Sequence, residues 1–352
     1  MKSIYDVDKN FFVASEIGKP DVTFYNIQAQ PFQVYGVFYR EGKFRRLPES
    51  VAAATSSSVH ALHANTAGGR VRFRTNSPYV AISAKMENIY KMPHFALTGS
   101  AGFDLYSDDG TVNRYVGTFK PPYNIEDGYQ GVVELGSAVF RDITIHFPLY
   151  SDVTALMIGI AETATLDAPT PYRDRKPIVY YGSSITQGGC ASRPGNAYQN
   201  IITRLNRIDH INLGFSGSAK AEDAMIDYIK DLEMSLFVYD YDHNAPTPEH
   251  LANTHEKMFR AIRAQQPELP IIMLSRPKIY LDESEQKRLA IIQTTYQNAL
   301  AAGDRNVYFI QGSDLMAQTD NDGTVDGTHP NDYGFHSMAR VLGACIHKIL
   351  DK

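Results

Sequence analysis

The chain predicts two folds in series: an all-β sandwich of jelly-roll type, then a three-layer α/β/α domain around a parallel sheet. Three observations carry this. The first half alternates apolar and polar residues with period two and lacks a long amphipathic helix. The second half alternates short apolar runs with helical stretches. Between them, Ala161-Glu162-Thr163-Ala164-Thr165-Leu166-Asp167-Ala168-Pro169-Thr170-Pro171 is small, polar and proline-bearing, which suits a linker. With 352 residues, two domains are the natural expectation, 1–168 and 169–352.

In the first half, Val71 and Phe73 alternate with Arg70, Arg72 and Arg74. Val80, Ile82, Ala84 and Met86 alternate with Ala81, Ser83 and Lys85. Ile143, Ile145 and Phe147 alternate with Thr144 and His146. One face of each run packs, and the other meets solvent or a partner. Turns separate the runs at Gly68-Gly69, Asp108-Asp109-Gly110 and Asp127-Gly128. After the linker, the charge run Arg173-Asp174-Arg175-Lys176 reads as solvated. Strands are then expected at 178–181, 211–215, 236–241, 271–274 and 307–311. Between them Ala224, Met225, Tyr228, Ile229 and Leu232 share a helical face, as do Met258, Phe259 and Ile262. A helical pattern also starts at Asn196. Apolar strands joined by helices argue a parallel sheet covered on both faces.

Composition bounds the function. Hydrophobic residues make up 43% and charged residues 21%, enough for an ordinary core. A net charge of −5 provides no basic footprint for nucleic acid or an anionic membrane. The first ten residues lack the apolar core of a signal peptide, and no segment is apolar enough to span a bilayer, so a cytoplasmic location is expected. Two cysteines make neither a disulfide framework nor a metal-site spacing. Cys345 shares a helical stripe with Met338, Leu342, Ile346 and Ile349. Cys190 falls just past a serine-bearing turn.

That turn, Gly182-Ser183-Ser184-Ile185-Thr186-Gln187-Gly188, follows the first apolar strand. Ser184, Gly217 and Asn244 all follow closely after predicted strands, where groups on a parallel sheet converge. A serine hydroxyl needs a base, and the base needs an orienting partner. His329 and Asp326, three residues apart, are candidates for these roles. The backbone N–H groups of Ser184 and Gly217 and the side-chain amide of Asn244 are candidate donors to a developing oxyanion. Taken singly, each segment has a plainer reading. Gly182–Gly188 also fits an ordinary βα turn or an anion-binding loop. Residues 326–330 fit a turn, and Asn244 fits a cap. Asn331 or Asp332 fits the cap of the last helix. Four segments in order at strand ends, with complementary chemistry, make coincidence a poor account.

The remaining histidines sort differently. His243, beside Asp240, Tyr241 and Asp242, fits a second acid–base cluster or a place packed beside Asn244. His94, His146, His250 and His255 stand in no motif and are expected to be surface or structural. His60 and His63 sit on a strand-like run and lack a carboxylate or cysteine partner for a metal.

The four segments resemble the SGNH, or GDSL, hydrolases. The family's Gly-Asp-Ser-Leu/Ile block is matched by Gly182-Ser183-Ser184-Ile185, its second-block glycine by Gly217 and its third-block asparagine by Asn244. Its closing Asp-x-x-His is matched by Asp326 and His329. Two departures stand out: Ser183 replaces the usual aspartate, and Asp242-His243-Asn244-Ala245 replaces Gly-x-Asn-Asp. In the first half, Gly102-Phe103-Asp104-Leu105-Tyr106 resembles the Gly-x-Asp-Leu-Tyr signature of a β-sandwich found ahead of SGNH domains. Arg193-Pro194-Gly195-Asn196 is similar to the same two-domain subgroup.

The resemblance implies a flavodoxin-like hydrolase domain, with Ser184 as nucleophile, His329 as base and Asp326 as its partner. It places Ser184, Gly217 and Asn244 in the oxyanion hole and requires no cofactor or metal. The expected activity is hydrolysis of small acyl esters, acetyl foremost, on a carbohydrate. Two alternatives remain: acyl transfer to a non-water acceptor with the same triad, and sugar binding without catalysis. With 22 tyrosines and no tryptophan, stacking on a sugar falls to tyrosine or phenylalanine.

Overall fold

The computed structural model describes residues 3–13, 16–173 and 176–351. The sandwich consists of two antiparallel sheets. One runs Val22–Asn26, Asp152–Ala161, Tyr79–Glu87, Gly128–Glu134. The other runs Leu166–Asp167, Arg70–Thr75, Arg141–His146, Phe103–Asp108, Asn113–Phe119, and Gln33–Tyr35 also pairs with Arg70–Thr75. Val71, Phe73, Ile82, Leu105, Ile143 and Ile158 fill the space between them, as the period-two pattern requires.

Most of the opposite face of Arg70–Thr75 is withdrawn from solvent, although Arg74 stays partly exposed. Arg70 and Arg72 are buried. Arg70 donates to Asp209 of the second half, and the Arg72 guanidinium lies 4.3 Å from the centre of the Tyr172 ring. The partner allowed by the alternation is thus largely the chain's own second half.

The segment expected to be a linker is docked instead. Leu166–Asp167 adds an edge strand to Arg70–Thr75, and the N–H and hydroxyl of Thr170 each donate to Asp142 at 2.7 Å. Arg70 and Arg72, which lie over the Tyr172 ring just past this segment, and the carboxylate of Asp142 supply partners that composition does not reveal. Asp174 and Arg175 of the charge run lie outside the described residues. Its ends are paired, Arg173 with Asp351 and Lys176 with Glu233. The strand-like reading of His60 is also corrected. It lies in the helix Ser57–Leu62, which Ser56 caps by accepting from Val59 N–H, and His63 ends that helix. The cap overrides the apparent alternation.

The second half holds a five-stranded parallel sheet. In space the strands run His210–Gly214, Ile178–Gly182, Leu236–Asp240, Ile271–Leu274, Val307–Ile310. This second–first–third–fourth–fifth order reverses direction at the first strand. Successive residues serve opposite faces. Tyr180 and Val238 pack on Ile202, Phe335, Met338 and Leu342. Val179 and Phe237 pack on Met225, Met258 and Ile292. Among the described residues, no helix is long and apolar enough to cross a membrane.

Buried polar groups join the two halves. Arg46 donates to the carbonyls of Leu62 and Asn65 and to those of Asn212 and Gly214 in the parallel sheet. Asp104, in the signature segment, accepts from His146, from Arg193 at 2.8 Å and from Gly195 N–H at 2.9 Å. Tyr106 accepts from Arg193 at 2.6 Å, and its ring lies 4.0 Å from the Arg204 guanidinium carbon.

Candidate active site

Three strand ends meet where the sheet order reverses. Gly182 lies beside Gly214 on one side and Asp240 on the other. A Cβ on Gly182 would stand 2.3 Å from the Asp240 carbonyl oxygen, so only glycine lets the next turn sit so close to the sheet. That turn becomes the short helix Ser184–Gln187. Ser183 caps it by accepting from Ile185 N–H at 3.2 Å, and its own N–H bonds the Asp240 carbonyl. Serine and aspartate are both strong caps, so the exchange at this position keeps the helix start intact.

The backbone of Ser184 is held from several sides. Its carbonyl accepts from Gly188 and Gly189 N–H at 3.0 Å and from the Tyr150 hydroxyl, across from the sandwich, at 3.2 Å. Gln187 braces the same helix, donating to Leu149 and Asn65 and accepting from Ser216 N–H. The Ser184 side chain is nearly covered, with 8% of the residue exposed.

The Ser184 hydroxyl oxygen stands 2.9 Å from His329 Nε2, and His329 Nδ1 stands 2.7 Å from Asp326 Oδ2. With Nδ1–H donating to the carboxylate, Nε2 is free to accept the serine proton. Asp326 also accepts from the N–H groups of His329 and Thr328. Burial opposes its ionisation, but these hydrogen bonds and the imidazole outweigh it, and its pKa is lowered to about 2. Pro330 O accepts from Cys190 N–H at 3.0 Å, tying the histidine segment to the serine turn. Asn331 then caps Asp332–Leu350, accepting from Tyr333 and Gly334 N–H.

The candidate oxyanion donors flank Ser184 on neighbouring strand ends. Ser184 N–H lies in the first helical turn, where no intrahelical acceptor exists. Gly217 has φ +66°, with nothing within 4 Å of a would-be Cβ, so backbone conformation rather than crowding favours glycine there. Asn244 Oδ1 accepts from Ala219 N–H at 3.3 Å, which leaves its amide NH₂ as the outward donor. The altered turn around Asn244 is anchored by Asp242, which Arg276 grips through Nε at 3.0 Å and Nη2 at 2.9 Å. Arg288 holds the carbonyls of Asp242 and Ala245.

His243 packs beside this turn, and burial followed by the Arg276 charge lowers its pKa to about 4. His146 and His255 are buried and structural, and His250 bonds the Lys220 carbonyl. His94 is different: its ring centre lies 5.8 Å from that of His329. It stands on a sandwich loop without periodicity, so no pattern in the sequence marks it.

His94, Cys190 and His329 each present a possible metal ligand atom within 4.8 Å of the others. Ligation needs a thiolate. Burial, with the Asp326 charge adding, pushes the Cys190 thiol up to about 12, and both His329 nitrogens are already engaged. The trio is therefore poorly suited to holding a cation.

Comparisons with known proteins bear on the family and the fold. The GDSL-like lipase/acylhydrolase family matches residues 175–347, and the GxDLY family, the N-terminus of SGNH-hydrolase-type esterases, matches residues 22–166. No curated protein matches the chain. Among solved structures, a protein described as a GDSL-like lipase from Bacteroides ovatus is 28% identical, with a TM-score of 0.84 over 94% of this chain and 98% of that one. The salicylyl-acyltransferase SsfX3 of a tetracycline pathway shares the fold at 17% identity, with a TM-score of 0.77 over 94% and 99%. A family two carbohydrate esterase from Cellvibrio japonicus shares it at 14% identity, with a TM-score of 0.61 over 94% and 98%. The chain belongs to the SGNH/GDSL hydrolases, in the two-domain subgroup that carries a GxDLY sandwich ahead of the hydrolase domain.

Proposed function

We propose that the chain is a serine esterase that removes small acyl groups, acetyl foremost, from a saccharide through an acyl-enzyme on Ser184. The continuous hydrogen-bond chain from Ser184 through His329 to Asp326 carries this reading. Ser184 Oγ attacks the ester carbonyl while its proton passes to His329 Nε2. Charge develops on the carbonyl oxygen, facing the N–H groups of Ser184 and Gly217 and the amide of Asn244. Each such donor contributes about 2.7–4 kcal/mol of barrier lowering where removed in other enzymes. His329 then protonates the departing alkoxide, leaving the acyl group on Ser184. A water molecule gives its proton to His329 as its oxygen attacks the acyl carbonyl. Collapse releases the carboxylic acid and returns the proton to Ser184. Asp326, ionised throughout, stabilises each imidazolium.

Water as the acceptor is favoured by access, since a quarter of the His329 side chain and a third of the Asp326 side chain are exposed. The saccharide assignment draws support from fold relatives that are carbohydrate esterases, one an acetyl xylan esterase from Butyrivibrio proteoclasticus. The test uses nitrophenyl esters of increasing length and acetylated xylo-oligosaccharides. Ser184→Ala is expected to lower kcat by on the order of 10⁴-fold or more with an unchanged circular dichroism spectrum. Full turnover by Ser184→Ala would sink the assignment.

A further inference from the structure

A cavity that belongs wholly to the sandwich lies one turn away from the Ser184 site. It has a volume of about 690 Å³ and is lined by Lys91, Met92, Phe95, Tyr123, Asn124 and Glu126, among others. That size falls within the roughly 300–1,000 Å³ of ordinary small-ligand pockets. The turn Met92–Phe95 forms the wall between cavity and site. The turn is closed by a hydrogen bond from Phe95 N–H to the Met92 carbonyl at 3.1 Å. Its tip, His94, leans toward His329, the two rings tilted by 51°, while Met92 and Phe95 line the cavity. Behind them the Phe95 ring packs edge-on against Tyr150 at 5.2 Å, and the Tyr150 hydroxyl bonds the Ser184 carbonyl. A ligand in the cavity therefore sits one loop away from the nucleophile.

The lining has a particular chemistry. Tyr123 is 86% exposed, the most exposed large hydrophobic side chain among the described residues, yet its loop is not loose. Ile125 is buried in the sandwich core, and its N–H closes a turn onto the Pro122 carbonyl at 3.0 Å. An aromatic ring presented on an anchored turn costs little ordering on binding. Beside it stand an amide, a carboxylate and an ammonium, from Asn124, Glu126 and Lys91. A flat apolar platform edged by such groups suits a ligand with apolar faces and a hydroxyl rim.

We infer that this cavity is a pyranose subsite for the alcohol part of the substrate. Tyr123 stacks on a sugar ring next to the one that carries the ester, and Asn124, Glu126 and Lys91 take its hydroxyls. The inference rests on the esterase reading above and adds the sandwich as the source of saccharide selectivity.

Tyr123→Ala, at a solvent-exposed position, tests it. Expected is a fall of about tenfold in kcat/KM on acetylated xylo-oligosaccharides, with nitrophenyl acetate hydrolysis unchanged and with Tyr123→Phe, which keeps the ring, holding most of the parent's kcat/KM on the saccharides. Equal losses on both substrates, or none on either, overturn the subsite. Binding is measured separately, by calorimetry of Ser184→Ala and of Ser184→Ala/Tyr123→Ala with xylohexaose, cellohexaose and mannohexaose. Weakened binding in the double variant supports the subsite even if no ester is ever turned over, in which case the esterase reading alone fails. Equal binding by both proteins, or no binding of any of the three at millimolar sugar, overturns the subsite while leaving nitrophenyl acetate turnover to stand for the esterase.

Discussion

Asp240 shows how a single residue can carry a cost beside a reactive centre. Its carbonyl positions Ser183, yet neither of its carboxyl oxygens meets a hydrogen-bond partner among the described residues. Burial, reinforced by Asp242 and opposed by Arg276, raises its pKa to about 8. The carboxyl is therefore protonated in the fold at pH values where the unfolded chain has released its proton. A raised carboxyl pKa gives stability that is full below the unfolded value near 4 and is lost as pH rises toward 8. Asp240→Asn should flatten that slope. The difference in unfolding free energy between variant and parent should grow from pH 4 to pH 8, reaching on the order of a few kcal/mol. Urea titrations at four pH values check this, and parallel curves would contradict it. Cys190 is similar in kind: burial holds it as a thiol beside His329.

At the scale of elements, the last helix decides where the base stands. Asp332–Leu350 begins three residues after His329, and Asn331 both caps it and donates to the Asp322 carbonyl at 2.7 Å. Asn331→Ala should cost about 1–2 kcal/mol and lower the melting midpoint by a few degrees. Asn331→Asp should keep most of the cap; calorimetry of both separates the cap from other losses. Much of this level was legible in the sequence. Strand ends, the serine turn and the Asp326–His329 spacing announce themselves through local pattern. The docked linker and the helix at His60 do not. The first depends on Arg72 and Asp142, distant in the chain; the second depends on one serine cap outvoting a short alternation. His94 was illegible for another reason: only the packing of two domains brings it to His329.

For the whole molecule, the seam between sandwich and sheet is the governing feature. Asp104 is fully buried and binds His146, Arg193 and Gly195, while Arg46 spends its donors on carbonyls from both halves. Removing one member of such a set leaves the others buried and unpaired, at a cost of about 3–5 kcal/mol. The parent protein is expected to unfold in one calorimetric transition, and Asp104→Ala to lower its midpoint well beyond the shift seen for Asn331→Ala. Two well-separated transitions in the parent would show that the seam does not couple the halves. The Gly-x-Asp-Leu-Tyr segment thereby acquires a physical meaning: its aspartate and tyrosine are the sandwich's grip on Arg193, which lies between Ser184 and the helix Tyr198–Asn206.

This grip limits how the chain can be recombined. A chimera that exchanges the sandwich at the proline-bearing segment would part Asp104 and Tyr106 from Arg193 and Arg204, and Arg46 from the carbonyls of Asn212 and Gly214. Grafting a foreign carrier onto this hydrolase therefore means transplanting a matched lock and key, with both sides of the seam moved together.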